Sequence, residues 1–138
     1  MGGSVLTDKT REETLDDEAF ETALNQIAYA DTADLILVHG AGSFGHPHAE
    51  RYDVSGGSRT GIYETHSAVA RLNAKVVEYL HERDVNALPV HPLSCATKTD
   101  EGFEMMTTQI QTMVDEGFTP AVHGDGVVHE RRGASILS

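Results

Sequence analysis

The sequence predicts an α/β fold: a parallel sheet with helices on both faces, built as one domain. Three observations carry that expectation. Short β-prone apolar runs alternate with longer stretches whose apolar residues recur every three or four positions, the signature of strand–helix–strand units. The run "LILVH" (35–39) has no polar alternation, as expected for a strand covered on both faces of a parallel sheet. Finally, three strand-like runs, "LILVHG", "LPVHP" and "PAVHG", end in His. In an open parallel sheet the strand carboxyl ends gather on one edge, where ligands bind. His39, His91 and His123 are therefore placed near that edge. The alternative for each is a structural histidine that donates to a backbone carbonyl.

The elements follow in order. "SVLT" (4–7) reads as a short strand close to the start of the chain. "LDDEAFETALNQIAYA" (15–30) reads as a helix: Leu15, Ala19, Ala23, Ile27 and Ala30 share a face, and acidic residues crowd the first turn, where the helix dipole favours them. After the strand at 35–39, "DVSGGSRTG" (53–61) reads as a flexible loop. A long helix over 64–83 sets Val69, Leu72, Val76 and Leu80 on one side. "ALPVH" (87–91) is a third strand, stopped by Pro92. "TTQIQTMVDEG" (107–117) is a helix ended by Gly117. "TPAVHG" (119–124) is a fourth strand, and "VVHERRGASIL" (127–137) is a hairpin turning at Arg132-Gly133. The sheet is expected to end at an edge strand near Ile136-Leu137, an edge prone to association.

Composition narrows the function. A chain of 138 residues fits one domain and can bury a real core. With 22 Asp+Glu against 10 Lys+Arg, its net charge of -12 repels nucleic acid and anionic lipid. Lysine is scarce (Lys9, Lys75 and Lys98), and so acidic a surface also fits adaptation to high salt, a halophilic trait. The single Cys95 cannot form an internal disulfide, and a reducing cytoplasm is the expected compartment. No apolar run approaches the ~20 residues of a membrane span, and "MGGSVLTDKTREE" lacks the features of a signal peptide.

The chemistry concentrates where "LILVH" meets Gly40-Ala41-Gly42-Ser43-Phe44-Gly45. Glycine lets backbone N–H groups approach an anion, and a following helix adds its N-terminal dipole, so this turn is a candidate phosphate loop. Its spacing is neither the dinucleotide fingerprint nor a Walker loop. His46 strengthens the reading, because an imidazole, with an ordinary pKa of about 6.5, readily gains a proton beside a dianion. Pro47 suits the first position of a helix, and His48 is expected to face solvent, so that its replacement changes little. Further glycine-bearing turns lie at Gly2-Gly3 and at "HGDG" (123–126), and Lys9 sits just past the first strand. Together they suggest a site for more than one phosphoryl group.

At these residues, "GGSVLTDK" (2–9), "LILVHGAGSFGHP" (35–47) and "PAVHGDGV" (120–127), the sequence resembles isopentenyl phosphate kinases of the amino-acid kinase superfamily. The resemblance spans the chain, and "GSFGHP" after "VHG" is its specific part. It implies a parallel-sheet αβα sandwich of the amino-acid kinase type. Residues 1–138 would be its N-terminal, acceptor-binding half, with the C-terminal nucleotide-binding half absent. It implies transfer of phosphate from ATP, with Mg2+, to isopentenyl phosphate, giving isopentenyl diphosphate for isoprenoid synthesis by the modified mevalonate route. The full-length family is expected to form homodimers.

The resemblance also assigns roles. Gly2, Gly3 and Ser4 match the first loop that holds the ATP phosphates, and Lys9 the lysine that neutralises charge in the transition state. Ala41 matches an acceptor contact, Gly42 an ATP-phosphate contact, His46 the histidine on the acceptor's phosphate, and Gly124 a further acceptor contact. The acceptor's apolar tail would lie around Ile62, Tyr63 and Val69. The family's first motif has a Lys two residues before the first Gly, a position this chain, opening Met1-Gly2, does not have. The 138 residues alone are accordingly expected to be an inactive fragment. Three other readings remain: a kinase for another small phosphate or phosphonate, a non-catalytic phosphate-binding module, and a metal site among His39, His46, His48, His91 and Asp125.

Overall fold

In the computed structural model, which describes residues 1–30 and 32–137, the strands form two sheets rather than one. In chain order the elements are α1 (Gly3–Leu6), α2 (Asp17–Tyr29), β1 (Leu37–His39), α3 (Gly42–Arg51), α4 (Arg59–His81), β2 (Ala87–Val90), α5 (Pro92–Cys95), β3 (Ala96–Lys98), β4 (Phe103–Met105), α6 (Thr108–Asp115), β5 (Thr119–His123), β6 (Asp125–His129) and β7 (Gly133–Leu137). The first sheet is parallel, in the order β1-β5-β2. The second, β4-β3-β6-β7, is mixed: β3 and β6 are parallel, and β4 and β7 flank them antiparallel.

The helices that cover the parallel sheet are started by their own sequences. The Asp16 carboxylate accepts from the Ala19 amide at 3.1 Å, capping α2, and Asp17 and Glu18 complement its dipole. Phe20 and Leu24 of α2 then meet Val76 and Leu80 of α4 over Leu37, Ala87 and Ala121 of the sheet, with Leu6 beneath. Each of the Phe, Leu and Val side chains contributes roughly 1.5–3 kcal/mol relative to exposure. Phe20 and Tyr79 close that layer edge to face, with ring centroids 5.3 Å apart. α6, with Ile110 buried, packs against β5.

Several expectations are corrected. Residues 4–7 are not a strand: residues 3–6 form α1, and Thr7 makes one antiparallel bridge to Leu15. The strand-like bonds to β1 are made one step earlier, by Met1, whose amino group donates to the Val38 carbonyl at 2.7 Å and whose carbonyl accepts from Gly40 at 3.0 Å. The chain then turns sharply at Gly3, where a Cβ would sit 2.7 Å from the Gly40 carbonyl carbon, and enters a helix. "LILVH" is covered on one face only: Leu37 and His39 are buried, whereas Ile36 and Val38 are 47% and 54% exposed. The loop at 53–61 is shorter than expected. A 3-10 turn occupies Val54–Gly56, and the Ser58 hydroxyl caps α4 by accepting from Gly61 at 3.1 Å, so the helix begins at Arg59. The hairpin is present, with Gly133 at φ 84° as the turn requires. Its strand β7 is the edge of the mixed sheet.

Candidate functional site

Parallel register explains why the strand-end histidines meet. His39 pairs with His123, and Val90 pairs with Val122, which brings His91 alongside His123. The His39 and His123 rings stack at 6.0 Å between centroids, and His91 meets His123 edge to face at 5.1 Å. His123 Nδ1 lies 3.0 Å from its neighbour's carbonyl, Gly124 O, and its Nε2 lies 2.8 Å from His91 Nδ1. With Nδ1–H on both rings, His123 donates to Gly124 and accepts from His91, so both stay neutral. His39 is held between the Gly40 carbonyl and the Asn73 amide, at 3.0 and 2.9 Å.

Burial holds His39 below its ordinary pKa and pushes His123 down to about 4. Burial, and then the neighbouring His66, lower His91. His66 goes the other way, raised by its hydrogen bond to Asp125 at 2.9 Å. Asp125 also accepts the amides of Leu93 and Gly126, at 3.0 and 2.9 Å. This cluster pins the β5–β6 junction that carries Gly124. Asp125 lies in the "HGDG" turn, but nothing in the sequence pattern singled out His66 or Asn73.

The glycine turns are built differently. Gly3, Gly40 and Gly42 touch backbone to backbone, and Gly42 sits at φ 53°. Thr7 ties them together: its hydroxyl donates to the Gly3 carbonyl and accepts from the Ser43 amide, both at 3.0 Å. Pro47 is inside α3, not at its first position. A proline there has no N–H for the carbonyl four residues back. That carbonyl, Ser43 O, instead accepts from the Glu13 amide at 3.0 Å, which requires Glu13 at φ 49°.

Glu13 is thereby placed beside Arg71 and His48. Its carboxylate takes Arg71 at 2.7 Å and His48 Nε2 at 2.8 Å, while Glu12 takes Arg51 at 2.7 Å. Arg71 holds Glu13, and Arg51 holds Glu12, below the ordinary carboxylate range. His48 is therefore buried in an ion-pair network, not solvent-facing as expected. This network fastens the loop that carries Lys9 to α3 and α4. Within that loop, Thr10 and then Arg11 bring the Asp8 carboxyl down to about 2. Among the described residues Lys9 itself has no carboxylate partner.

Two cavities open on these turns. One, of about 470 Å3, is lined by Gly3, Ser4, Lys9, Gly42 and His46. Gly2 immediately precedes it, as the residue before α1. The other, of about 220 Å3, is lined by Ala41, His46, Thr65, Gly124, Ile136 and Leu137. Gly3 and His46 border both cavities, so the two meet there. His46 is exposed, in contrast to the strand-end histidines. The residues suggested for an apolar tail do not gather: Val69 is fully buried beside Gly45, Ile62 packs on Gly126, and Tyr63 is 66% exposed. The side chains named for a metal site are hydrogen-bonded to other protein groups, His39 to Asn73, His48 to Glu13, His91 to His123 and Asp125 to His66, and among the described residues no group of three or more His, Cys, Asp or Glu is placed to hold a metal ion.

Known proteins are similar to this chain in sequence and fold. The isopentenyl phosphate kinase of Haloferax volcanii is 43% identical over 144 residues, covering 100% of this chain and 58% of that protein. The isopentenyl phosphate kinase of Methanocaldococcus jannaschii is 29% identical over 153 residues, again covering 100% of this chain and 58% of the relative. A solved isopentenyl phosphate kinase structure superposes with a TM-score of 0.94 at 30% identity, over 100% of this chain and 61% of that one. A substrate complex of isopentenyl phosphate kinase gives 0.87 at 26% identity, over 99% of this chain and 59% of that one. The chain thus spans about three fifths of the length of these relatives. A family model described as the amino acid kinase family matches residues 1–138, and on that match the chain belongs to the amino acid kinase family.

Proposed function

We propose that the protein transfers the γ-phosphoryl group of ATP to isopentenyl phosphate, giving ADP and isopentenyl diphosphate. The observation that carries this reading is the meeting of two cavities at Gly3 and His46, with the uncommitted Lys9 in the larger one. The nucleotide's phosphates are assigned to the larger cavity, at Gly2, Gly3, Ser4 and Gly42. The acceptor is assigned to the smaller one, at Ala41, His46 and Gly124. An oxygen of the acceptor's phosphate attacks the γ-phosphorus, a new P–O bond forms, and the bond to the bridging oxygen of ADP breaks. The attacking phosphate oxygen is already ionised near neutrality, so no general base is needed. Such chemistry asks the protein to position reactants and to spread charge. His46 would hold the acceptor's phosphate, and Lys9 would offset the charge shared by the two anions.

The donor set beside the cavities does not build a magnesium site. Asp8 is taken by Thr10 and Arg11, Glu12 by Arg51, and Glu13 by Arg71 and His48. We assign Mg2+ to the nucleotide's own phosphates, which commonly bind it, and derive no step through it. The 138 residues are read as the acceptor side of the enzyme, and turnover as a property of the whole protein. A homodimer, a cytoplasmic location and adaptation to high salt complete the proposal. The last is supported by the net charge of -12. No described helix is long and apolar enough to cross a membrane.

The test is turnover of ATP with isopentenyl phosphate and, in parallel, with small phosphonates. His46→Ala and Lys9→Ala are each expected to lower kcat/KM by about 100-fold or more, as loss of a transition-state donor does. Phosphonate turnover exceeding that of isopentenyl phosphate would replace the acceptor. Phosphate binding without ATP turnover would make the protein a binding module.

A further inference from the structure

Thr7 is 2% exposed, and its hydroxyl makes two bonds in different directions. The donated bond, to the Gly3 carbonyl at 3.0 Å, is the ordinary return of a threonine to the carbonyl four residues back. The accepted bond is not local: it comes from the Ser43 amide, 36 positions away. Ser43 stands in the first turn of α3, where amides have no partner within the helix. Ala41, the residue before α3, supplies no side-chain cap, so Thr7 caps the helix from another segment. The approach is close, since a Cβ on Gly42 would fall on the Thr7 hydroxyl. Two further bonds strap Ser43 to the chain that follows Thr7. The Ser43 hydroxyl donates to the Thr14 carbonyl at 3.2 Å, and the Ser43 carbonyl accepts from the Glu13 amide at 3.0 Å. Thr7 itself bridges to Leu15 at the neck of that loop, with Lys9 two residues beyond. One hydroxyl therefore joins the Gly3 turn, the Gly42 turn and the neck of the Lys9 loop. Its only proton goes to the Gly3 carbonyl, so it has none to offer a phosphate.

We propose that Thr7 is a positioning residue for phosphoryl transfer: it fixes the turn assigned to the nucleotide's phosphates against the start of the helix that carries His46, and so sets the distance between donor and acceptor. This rests on the assignment of the two cavities to nucleotide and acceptor. The reaction is unchanged, since Thr7 makes and breaks no bond in it. Transfer needs both reactants aligned at once, and a misplacement of about 1 Å can cost about 100-fold. Binding of either reactant alone makes no such demand.

The experiment measures steady-state turnover of the full-length protein with ATP and isopentenyl phosphate, and calorimetric binding of each substrate alone. Thr7→Val keeps the shape and removes the hydroxyl. It should lower kcat by about 100-fold and leave both dissociation constants within about threefold of wild type, the split expected when alignment rather than binding is lost. Thr7→Ser keeps the hydroxyl and should bring kcat back to within about threefold of wild type. If the valine variant does not fold, Thr7→Ala carries the same comparison. A water can then satisfy the two orphaned groups without holding the turns at fixed spacing, and kcat should still fall by at least about tenfold. A kcat in Thr7→Val within about threefold of wild type, a kcat loss matched by equal weakening of either substrate, or a serine variant no better than the valine one overturns the inference alone. If the wild type does not turn over the two substrates, the kinase reading falls, and this inference falls with it.

Discussion

His39 and His46 lie seven positions apart on either side of one glycine turn, yet their surroundings are opposite. His39 belongs to a packed group in which His123, His91, Asn73 and backbone carbonyls lie within hydrogen-bond distance of the ring nitrogens. His46 is exposed at the junction of two cavities. Both sit at the carboxyl-end edge of the parallel sheet, the place where α/β proteins bind ligands. The difference shows that position on that edge does not make a histidine functional. Packed under α4, an imidazole is driven neutral and becomes scaffold. Projected from α3 into a cavity, it remains available to an anion.

The sharpest way to break this contrast is to truncate one histidine of each kind. His123→Ala removes a packed ring and leaves the His91 donor unpaired, so it should cost about 2–4 kcal/mol of stability. His46→Ala should stay within about 0.5 kcal/mol, as exposed substitutions do, although it removes the proposed phosphate ligand. Urea unfolding of both variants checks this, and equal losses would erase the distinction between scaffold and site.

His48 sharpens the comparison from the other side. It neighbours His46 in sequence but is buried against Glu12 and Glu13. His48→Ala leaves two adjacent carboxylates with one partner fewer, and should cost about 1–2 kcal/mol. It should also loosen the Lys9 loop and so reduce turnover by less than Lys9→Ala does. Thermal melts and turnover in the same variant test the clamp, and a variant indistinguishable from wild type in both would dissolve it.

The smallest expected effect is in the pH dependence, where the cluster is divided against itself. Asp125 raises His66, so the stabilisation from that pair is complete below about pH 6.5, the ordinary histidine value, and fades as pH rises through the raised pKa. Burial lowers His39, His91 and His123, so their contribution is complete above about pH 6.5 and is lost as pH falls toward the value of about 4 for His123. His66→Gln should therefore be destabilised most at mildly acidic pH, with the gap to wild type narrowing as the solution is made alkaline. Denaturation midpoints across that range decide the matter. A gap that widened with pH would mean that His66 is not charged against Asp125.

Much of the fold and of the glycine turns was legible along the chain because both depend on local chemistry. The 3.6-residue spacing of Leu72, Val76 and Leu80 and the acidic first turn after Asp16 specify helices wherever they are placed. The glycines at 3, 40 and 42 announce a backbone that must come close to something. What could not be read there depends on partners distant in sequence. Residues 4–7 look like a strand by composition, but the strand bonds to β1 are taken by Met1, and the Gly3 turn sends the chain into α1. His48 looks like a solvated residue after Pro47. Glu13, 35 positions away, buries it, because the carbonyl orphaned by Pro47 draws the Glu13 amide into place. Thr65 carries no mark at all in its own segment. Its hydroxyl is buried without a hydrogen-bond partner, and hydrogen-bond satisfaction is a property of the assembled fold rather than of the residue.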